Sequence, residues 1–193
     1  PLLLSSAASD VYKRQVMILP QRQAVLVAKQ AAEIDILSGG RLRLGVGLGW
    51  NKVEYDALGM TFGNRAKRFG EQIDVMRKLW SNRTVEYNGE FHKFESAGIN
   101  PEPVQIPIPV WSGAMKEVAV RRAAAVGDGW FMFPRQDPSD EAQKMISVFR
   151  QSAAEAGKEP DDLGINATVF ANQGAGPGEW REVMNEWGHM GAN

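Results

Sequence analysis

The sequence predicts an α/β fold with parallel strands, and three observations carry this prediction. Short apolar segments of strand length alternate along the chain with segments whose apolar residues recur at helical spacing. The connections between these segments are short, which favours parallel pairing with right-handed crossovers. Five such core strands can be counted, whereas about eight close a parallel barrel. We therefore predict an incomplete (β/α)8 TIM barrel, interrupted by one inserted β-hairpin.

The composition limits the classes of function. The chain has 193 residues, 44% of them hydrophobic and 23% charged, with a net charge of −1. The balanced charge offers no basic surface for nucleic acid and no lysine-rich helix for a membrane. Cysteine is absent and histidine occurs twice, which excludes disulfides and gives no metal cluster. Because no apolar run approaches the roughly 18 residues of a membrane span, we expect a cytoplasmic protein.

The first fifteen residues differ in character from the rest of the chain. They lack the basic region and the long apolar run of a signal peptide. Asp10–Gln15 resembles translated adapter sequence and does not continue into the periodic pattern that follows. We expect residues 1–15 to be a non-native leader and residues 16–193 to be one barrel domain, truncated at both ends.

The first strand and helix are predicted directly after this leader. Val16–Leu19 is an apolar run that ends at Pro20, which is typical of a strand buried on both faces. Ala24–Leu37 has helical spacing, and Ser38-Gly39-Gly40 would end the helix. Its predicted buried face consists of Val27, Ala31, Ile34 and Leu37.

The second strand leads into glycines at every second position. Leu42, Leu44 and Val46 are expected to be buried. Gly45, Gly47 and Gly49 allow positive φ and let backbone N–H groups approach a bound ring or phosphate. We interpret this segment as the wall of a cofactor site, and the alternative is a strand end that only turns. A Rossmann turn is disfavoured because it needs the spacing G-x-G-x-x-G and an acidic residue about 20 positions on.

Two helices are predicted after the glycines. Asn51–Leu58 includes Glu54, which could act as an acid or base or be an exposed carboxylate. Asn64 is the expected N-cap of a helix that runs to Trp80. The apolar stripe of this helix consists of Phe69, Ile73, Met76 and Trp80. Its first turns carry the cations Arg65, Lys67 and Arg68, against the preference of the helix dipole for acidic residues there. This indicates either a nearby anionic ligand or a solvated face.

An antiparallel hairpin is predicted at Thr84–Phe94. Apolar and polar residues alternate there about a central Asn88-Gly89, a strong hairpin signal. His92 lies on this insertion. We expect His92 to be structural or exposed, because a functional histidine is normally held by a rigid core element.

The second half of the chain repeats the alternation of strand and helix. A proline-rich segment leads to the strand Val110-Trp111, and small residues at Ser112–Met115 precede a helix at about Glu117–Ala125. Such a connection can bind an anion through backbone N–H groups and the helix dipole. The remaining predicted elements are an aromatic strand at Trp130–Phe133, a helix at Asp140–Ala156, a strand at Leu163–Phe170 and a helix at Glu179–Trp187.

Several segments together resemble a known family. They are Ala28–Arg41, Leu44–Asn51, Arg65–Trp80, Pro107–Trp111 and Arg121–Trp130. In combination they resemble the bacterial luciferase-like superfamily, in particular its deazaflavin-dependent (coenzyme F420) oxidoreductases. The resemblance implies a (β/α)8 barrel, of which this chain supplies strands three to seven. It also implies a flavin or deazaflavin bound at the C-terminal ends of the strands.

The resemblance further implies which residues bind the cofactor. The wall beside its ring would consist of Gly47, Leu48, Gly49, Trp50 and Asn51. The phosphate pocket would consist of Ser112, Gly113, Ala114 and Met115, with Trp130 and Phe131 near the same end. The family often has two successive glycines where this chain has Gly113-Ala114, so the alanine methyl is expected to tighten the approach of the phosphate. The catalytic residues are unknown, because in the family they commonly lie on the early strands.

These inferences predict a flavin- or deazaflavin-dependent oxidoreductase. It would transfer hydride between reduced coenzyme F420 and a small organic substrate, with the protein orienting the ring and excluding water. One alternative is an FMN-dependent luciferase-like monooxygenase that acts on paired donors with O2. Another is an inactive, truncated homologue. The expected partners are a small-molecule substrate and a second copy of the chain in a homodimer, without metal, nucleic acid or membrane.

Overall fold

The computed structural model describes residues 16–132, 138–169 and 176–192. The chain divides into two compact units, the first ending at Val110 and the second beginning at Trp111. The described part of the first unit contains the strands β1 (Met17–Ile18), β2 (Leu44–Gly47), β3 (Val85–Asn88) and β4 (Lys93–Ala97). Its helices are α1 (Ala24–Ser38), α2 (Lys52–Ala57) and α3 (Arg65–Ser81), and a short 3-10 turn, Leu19–Gln21, follows β1.

Strands β1 and β2 pair in parallel, as predicted. Met17 lies opposite Val46 and Ile18 lies opposite Gly47. β1 is shorter than the predicted Val16–Leu19, and its two residues are half-buried rather than buried on both faces. The cause is Pro20, which occupies the first turn of the 3-10 helix and has a fixed φ that suits a helix start.

Helix α1 has the predicted bounds to within one residue, but its buried face was predicted only in part. Val27 and Ala31 are buried, whereas Ile34 and Leu37 are 52% and 87% exposed. The buried face also includes Ala24, Ala28, Ala32 and Asp35. These small residues allow close approach of α3, whose Trp80 indole donates to the Ala28 carbonyl oxygen at 3.0 Å.

Helix α3 buries the predicted stripe of Phe69, Ile73, Met76 and Trp80. Asn64 is the N-cap residue of α3, as predicted, although its side chain makes no capping hydrogen bond.

A buried carboxylate anchors the loop that precedes the second unit. Asp35 lies near the C-terminus of α1 and is fully buried. Its Oδ2 accepts from the Gln105 backbone N–H at 2.8 Å, and its Oδ1 accepts from Gln105 Nε2 at 2.7 Å. Gln105 Nε2 also donates to the Leu42 carbonyl oxygen at 2.8 Å. The entry to β2 and the proline-rich loop are therefore joined through one side chain pair.

The hairpin of β3 and β4 is antiparallel, as predicted, but its connection is longer than two residues. Asn88 pairs with Lys93, so residues 89–92 form the turn. Glu71 of α3 explains this turn, because its carboxylate accepts from the backbone N–H groups of Glu90, Phe91 and His92 at 2.7–2.9 Å. A Cβ at Gly89 would lie 2.5 Å from Glu71 Cδ, so a larger residue there would displace the carboxylate that holds the turn.

His92 takes part in the same cluster. Its Nδ1 lies 2.7 Å from Glu71 Oε1, and its side chain is 11% exposed. Of the two predicted alternatives, structural or exposed, this contact and burial agree with the first.

The second unit alternates strands and helices. Its strands are β5 (Val110–Ala114), β6 (Gly129–Met132) and β7 (Gly164–Asn166), and its helices are α4 (Glu117–Val126), α5 (Asp140–Glu155) and α6 (Pro177–His189). β6 pairs in parallel with both β5 and β7. The predicted strand residues Phe133 and Phe170 lie outside the described part of the chain.

Aromatic side chains on β5 and β6 fill the core of this unit. The rings of Trp130 and Phe149 are 5.5 Å apart, and those of Trp111 and Phe131 are 5.3 Å apart. A Cβ at Gly129 would lie 2.4 Å from the Trp111 indole, so glycine is required where the two strands meet. The α/β prediction is confirmed, with β1, β2, β5, β6 and β7 as the five core strands and β3–β4 as the inserted hairpin.

Candidate cofactor site

The turn after β2 contains the predicted cofactor wall. Gly47 is the last residue of β2, and residues 48–50 lead to Asn51, the N-cap of α2. Asn51 Oδ1 accepts from the Val53 backbone N–H at 3.1 Å. Gly49 has a φ of +70°, a conformation that favours glycine. Because β1 and β2 are parallel, this turn lies at the carboxyl edge of the pair, where α/β enzymes bind ligands.

The glycines of the turn are also required by packing within the protein. A Cβ at Gly47 would lie 2.7 Å from Val16 Cγ1, and a Cβ at Gly49 would lie 2.8 Å from Ile18 Cγ2. Side chains of β1 and its flank therefore occupy the space that these glycines leave open. The sequence prediction was that these glycines turn with positive φ and admit a ligand, but Gly49 has a positive φ whereas Gly45 and Gly47 do not.

Two side chains of the turn and its surroundings differ sharply in exposure. Trp50 is 86% exposed, so its indole presents a flat apolar surface to solvent. Tyr55 of α2 is fully buried, and its hydroxyl donates to the Leu48 carbonyl oxygen. Its ring meets that of Phe62 edge to face at 5.3 Å. Burial raises the pKa of Tyr55, which nearby Arg65 partly counteracts.

Glu54 connects the ends of the two strands. Its Oε1 accepts from Asn51 Nδ2 at 3.1 Å, and its Oε2 accepts from Gln21 Nε2 at 3.4 Å. Glu54 is exposed, so it is available to solvent and to a bound molecule. Sequence reasoning missed Gln21, although its place directly after the first parallel strand put it at the same edge as the glycine-rich turn.

Most residues of the predicted phosphate pocket lie on a strand rather than in the connection that follows it. Ser112, Gly113 and Ala114 belong to β5 itself and lie opposite Trp130, Phe131 and Met132 of β6. The prediction that they form the connection after the strand is wrong, because the strand continues to Ala114. Met115 is the first residue past the strand and is 67% exposed.

The two predicted aromatic contacts on β6 are buried. Trp130 is 1% exposed, and its Nε1 donates to the Ala114 carbonyl oxygen at 2.9 Å. Phe131 is 7% exposed and packs against Trp111. The structure brings Trp130 and Ala114 together, but the indole is directed into the packing of the second unit. Cofactor contact by Trp130 and Phe131 stays a prediction.

Neither a metal-binding cluster nor a helix able to span a membrane occurs among the described residues. In residues 16–132, 138–169 and 176–192, no group of three or more histidine, aspartate or glutamate side chains could hold a metal ion. Across the same ranges, every helix is too short or too polar to cross a bilayer.

The sequence was compared with models of known protein families. It matches the model described as luciferase-like monooxygenase over residues 15–189. The chain belongs to the luciferase-like monooxygenase family. The predicted family resemblance is thereby confirmed.

Proteins similar to this chain are named for different cofactors. The chain is 39% identical to an uncharacterized protein of Mycobacterium tuberculosis over 143 residues, 74% of this chain and 48% of that protein. It is 31% identical to the FMNH(2)-dependent dimethylsulfone monooxygenase of Pseudomonas putida over 170 residues, 86% of this chain and 46% of that enzyme. The structure of the coenzyme F420-dependent tetrahydromethanopterin reductase from Methanopyrus kandleri matches with a TM-score of 0.69 and 22% identity, covering 80% of this chain and 48% of that one.

The structural similarity supports the barrel fold class. The chain spans about half the length of the relatives that it matches. Relatives of this luciferase-like chain include enzymes named for FMNH2 and for F420.

Proposed function

We propose that the chain is part of an oxidoreductase that transfers hydride between reduced coenzyme F420 and a small organic substrate. The observation that carries this proposal is the turn after β2. It combines a positive φ at Gly49 with the exposed indole of Trp50 at the carboxyl edge of two parallel strands. A planar redox ring needs such a flat apolar surface beside backbone that it can approach closely.

The side chains around this turn suit the binding of a ring with polar edges. Trp50 offers a face for stacking. The amide of Asn51 follows it directly in sequence, and the amide of Gln21 lies at the same strand edge. Glu54 holds both amides through its two carboxylate oxygens. When bound, the cofactor supplies the hydride chemistry, and these residues would orient the ring and exclude water from it.

A second candidate is an FMNH2-dependent monooxygenase. The specific observation in its favour is the 31% identity to an enzyme of that kind over 86% of this chain. The same turn would hold the flavin ring, since the ring systems of FMN and F420 are both planar. Under either candidate, Met115 and the end of β5 are proposed contacts of the cofactor and need a test of their own.

The test is a titration of the purified chain with oxidised F420 and, separately, with FMN. We expect one of them to change its absorbance spectrum on binding and to raise the Tm, and the tighter ligand decides between the candidates. Trp50→Ala should weaken that binding about tenfold or more, because it removes the stacking surface. Leu37→Ala is the matched control, since Leu37 is 87% exposed on a different helix. The proposal fails if neither cofactor changes the spectrum or the Tm at hundreds of micromolar.

A further inference from the structure

The inserted hairpin contains an asparagine that is followed by a glycine, Asn88-Gly89. Asparagine is among the thermolabile residues, because the backbone nitrogen of the next residue can attack its side-chain Cγ. Glycine in the next position makes this attack easiest, since it has no Cβ to obstruct the approach. Asn88 is the last residue of β3 and is exposed, so water reaches its side chain.

The glycine at position 89 is required by a contact with Glu71. A Cβ there would lie 2.5 Å from Glu71 Cδ and 2.6 Å from its Oε1, so a larger residue would displace the carboxylate. The same carboxylate accepts from the three backbone N–H groups of residues 90–92 at 2.7–2.9 Å. The side chain that fixes the turn therefore also requires the residue that leaves Asn88 open to attack.

The folded turn keeps the attacking nitrogen from reacting. The backbone N–H of Gly89 donates to the His92 carbonyl oxygen at 2.8 Å, and Asn88 pairs with Lys93 of β4. Attack requires the nitrogen to give up this hydrogen bond and to move toward Asn88 Cγ, away from the geometry of the paired strands. Because a segment must open locally before a group held by native hydrogen bonds can react, the rate depends on how often this turn opens.

We propose that Asn88 is a site of spontaneous covalent modification and that the Glu71 carboxylate controls its rate. In the reaction, the Gly89 nitrogen forms a bond to Asn88 Cγ, and its proton and the side-chain nitrogen of Asn88 leave together as ammonia. Water then opens the cyclic imide at either of its carbonyl carbons. The products are aspartate and isoaspartate, so the net change is hydrolysis of one carboxamide to a carboxylate, with water as the only co-reactant.

The isoaspartate product would loosen the attachment of the hairpin to α3. It adds a carbon atom to the main chain at the end of β3, which disturbs the register of β3 against β4. In that register Tyr87 lies opposite Phe94, and their rings stack with centres 5.9 Å apart. The Tyr87 hydroxyl donates to Asp74 Oδ2 of α3 at 2.8 Å. We therefore expect a modified molecule to open its hairpin more readily than an unmodified one.

The experiment incubates the purified chain in mildly alkaline buffer and follows residues 84–93, which trypsin releases as one peptide by cleavage after Arg83 and Lys93. Mass spectrometry measures the conversion of carboxamide to carboxylate, and chromatography separates the isoaspartate product. We expect conversion to be about tenfold or more faster in guanidinium chloride, where the turn is open, than in the folded chain. Asn82, which is followed by Arg83, is the internal reference and should convert more slowly than Asn88 in the denaturant.

Three variants separate opening of the turn from unfolding of the whole chain. Glu71→Gln removes the charge that holds the turn and should speed the conversion of Asn88 about tenfold. Asp35→Asn is the matched control, because it also neutralises a buried, hydrogen-bonded carboxylate of the first unit but lies outside the hairpin; it should leave the rate within about twofold. His92→Gln removes the imidazole contact with Glu71 and keeps the backbone contacts, so it should give an intermediate rate and replaces Glu71→Gln if that variant does not fold.

Each result bears on one part of the proposal. Equal rates in the folded and the denatured chain would refute control by the fold, and equal rates in Glu71→Gln and Asp35→Asn would refute control by the turn. Unchanged rates in both Glu71→Gln and His92→Gln would do the same. If Asn82 converts as fast as Asn88 in the denaturant, Asn88 is not a preferred site and the proposal fails. Since no cofactor takes part in the reaction, these outcomes are independent of the proposed function.

Discussion

Replacing Glu71 with glutamine tests how the inserted hairpin is attached to α3. The Glu71 carboxylate accepts three backbone N–H groups from the turn of residues 89–92 and faces His92 Nδ1 at 2.7 Å. Its side chain is 13% exposed. Glutamine has nearly the same shape, but it carries no charge and turns an N–H2 group toward donors.

The expected loss follows from these contacts. Hydrogen bonds to a charged acceptor contribute about 1.5–3 kcal/mol each and neutral ones about 0.5–1.5 kcal/mol. In the variant, one of the four hydrogen bonds is lost because the new N–H2 group faces another donor. The other three are kept, but their acceptor is now uncharged. We therefore expect Glu71→Gln to lower the free energy of unfolding by about 2–4 kcal/mol at pH 7.

The effect should depend on pH in a defined direction. Burial raises the pKa of Glu71, but the hydrogen bonds from His92 and from the backbone N–H groups of the turn outweigh burial, so the pKa lies below its ordinary value of 4.5. A group with a lowered pKa contributes its full stability above the pKa of the unfolded state and loses it as the pH falls through the folded-state pKa. The difference between the unchanged chain and Glu71→Gln should therefore be complete at pH 7 and shrink below about pH 4.5.

Urea unfolding followed by tryptophan fluorescence measures this difference, and amide hydrogen exchange shows whether residues 85–97 lose protection first. The matched control is Glu90→Gln, which removes the same charge from the turn that Glu71 holds. Glu90 is 60% exposed and lies 3.8 Å from Lys67, so its loss should cost at most about 0.5 kcal/mol. A free energy of unfolding for Glu71→Gln within about 0.5 kcal/mol of the unchanged chain would refute the reasoning.

Three further predictions concern buried groups of the first unit. Asp35→Asn should lower the free energy of unfolding, measured by urea unfolding, by about 2–4 kcal/mol, because it weakens hydrogen bonds to a fully buried carboxylate. The control Asp56→Asn, at an exposed ion pair, should change it by less than about 0.5 kcal/mol. Gly49→Ala should lower the melting temperature more than Gly59→Ala, since both glycines have positive φ but only a Cβ at position 49 meets a neighbour, Ile18. Equal melting temperatures would show that the Ile18 side chain moves aside without cost. Tyr55→Phe should lower the free energy of unfolding by about 1 kcal/mol, because the hydroxyl contact is lost. The folded-state pKa of Tyr55 is raised, so the contribution of the hydroxyl is complete below the ordinary pKa of 10.0 and declines as the pH rises above it. Thermal unfolding at pH 7 and pH 11 checks both parts of that prediction.

The order of strands and helices could be predicted from the sequence because each element carries its own periodicity and its own stop signal. Helix α3 is the clearest case, since its stripe of Phe69, Ile73, Met76 and Trp80 is buried as expected. In α1 the same reasoning failed for Ile34 and Leu37. Apolar character alone did not indicate that the smaller alanines would face α3 and leave these larger side chains exposed.

Features that depend on contacts distant in sequence could not be predicted. The hairpin turn is longer than Asn88-Gly89 alone implies because Glu71, on a different element, holds the N–H groups of the turn. Similarly, Ser112–Ala114 read locally as small connecting residues, but pairing with β6 extends the strand through them.

The sequence predicted where the candidate site lies along the chain, but not which side chains contact it. The sequence located the glycine-rich turn, and the structure adds Gln21 and Tyr55, which reach it from separate elements. It also shows that Gly47 and Gly49 make room for Val16 and Ile18. This second role was not visible in the spacing of the glycines, because it depends on which side chains of the neighbouring strand point at the turn.

The absence of a side chain at position 129 limits how this protein can vary. Since the Trp111 indole fills the space that any β-carbon at 129 would need, a larger residue at one position requires a smaller one at the other. We expect substitutions at 111 and 129 to be compensatory: Gly129→Ala should be tolerated when Trp111 is replaced by leucine and poorly tolerated when the tryptophan is kept. In this part of the second unit, we therefore expect the two positions to vary as a pair rather than singly.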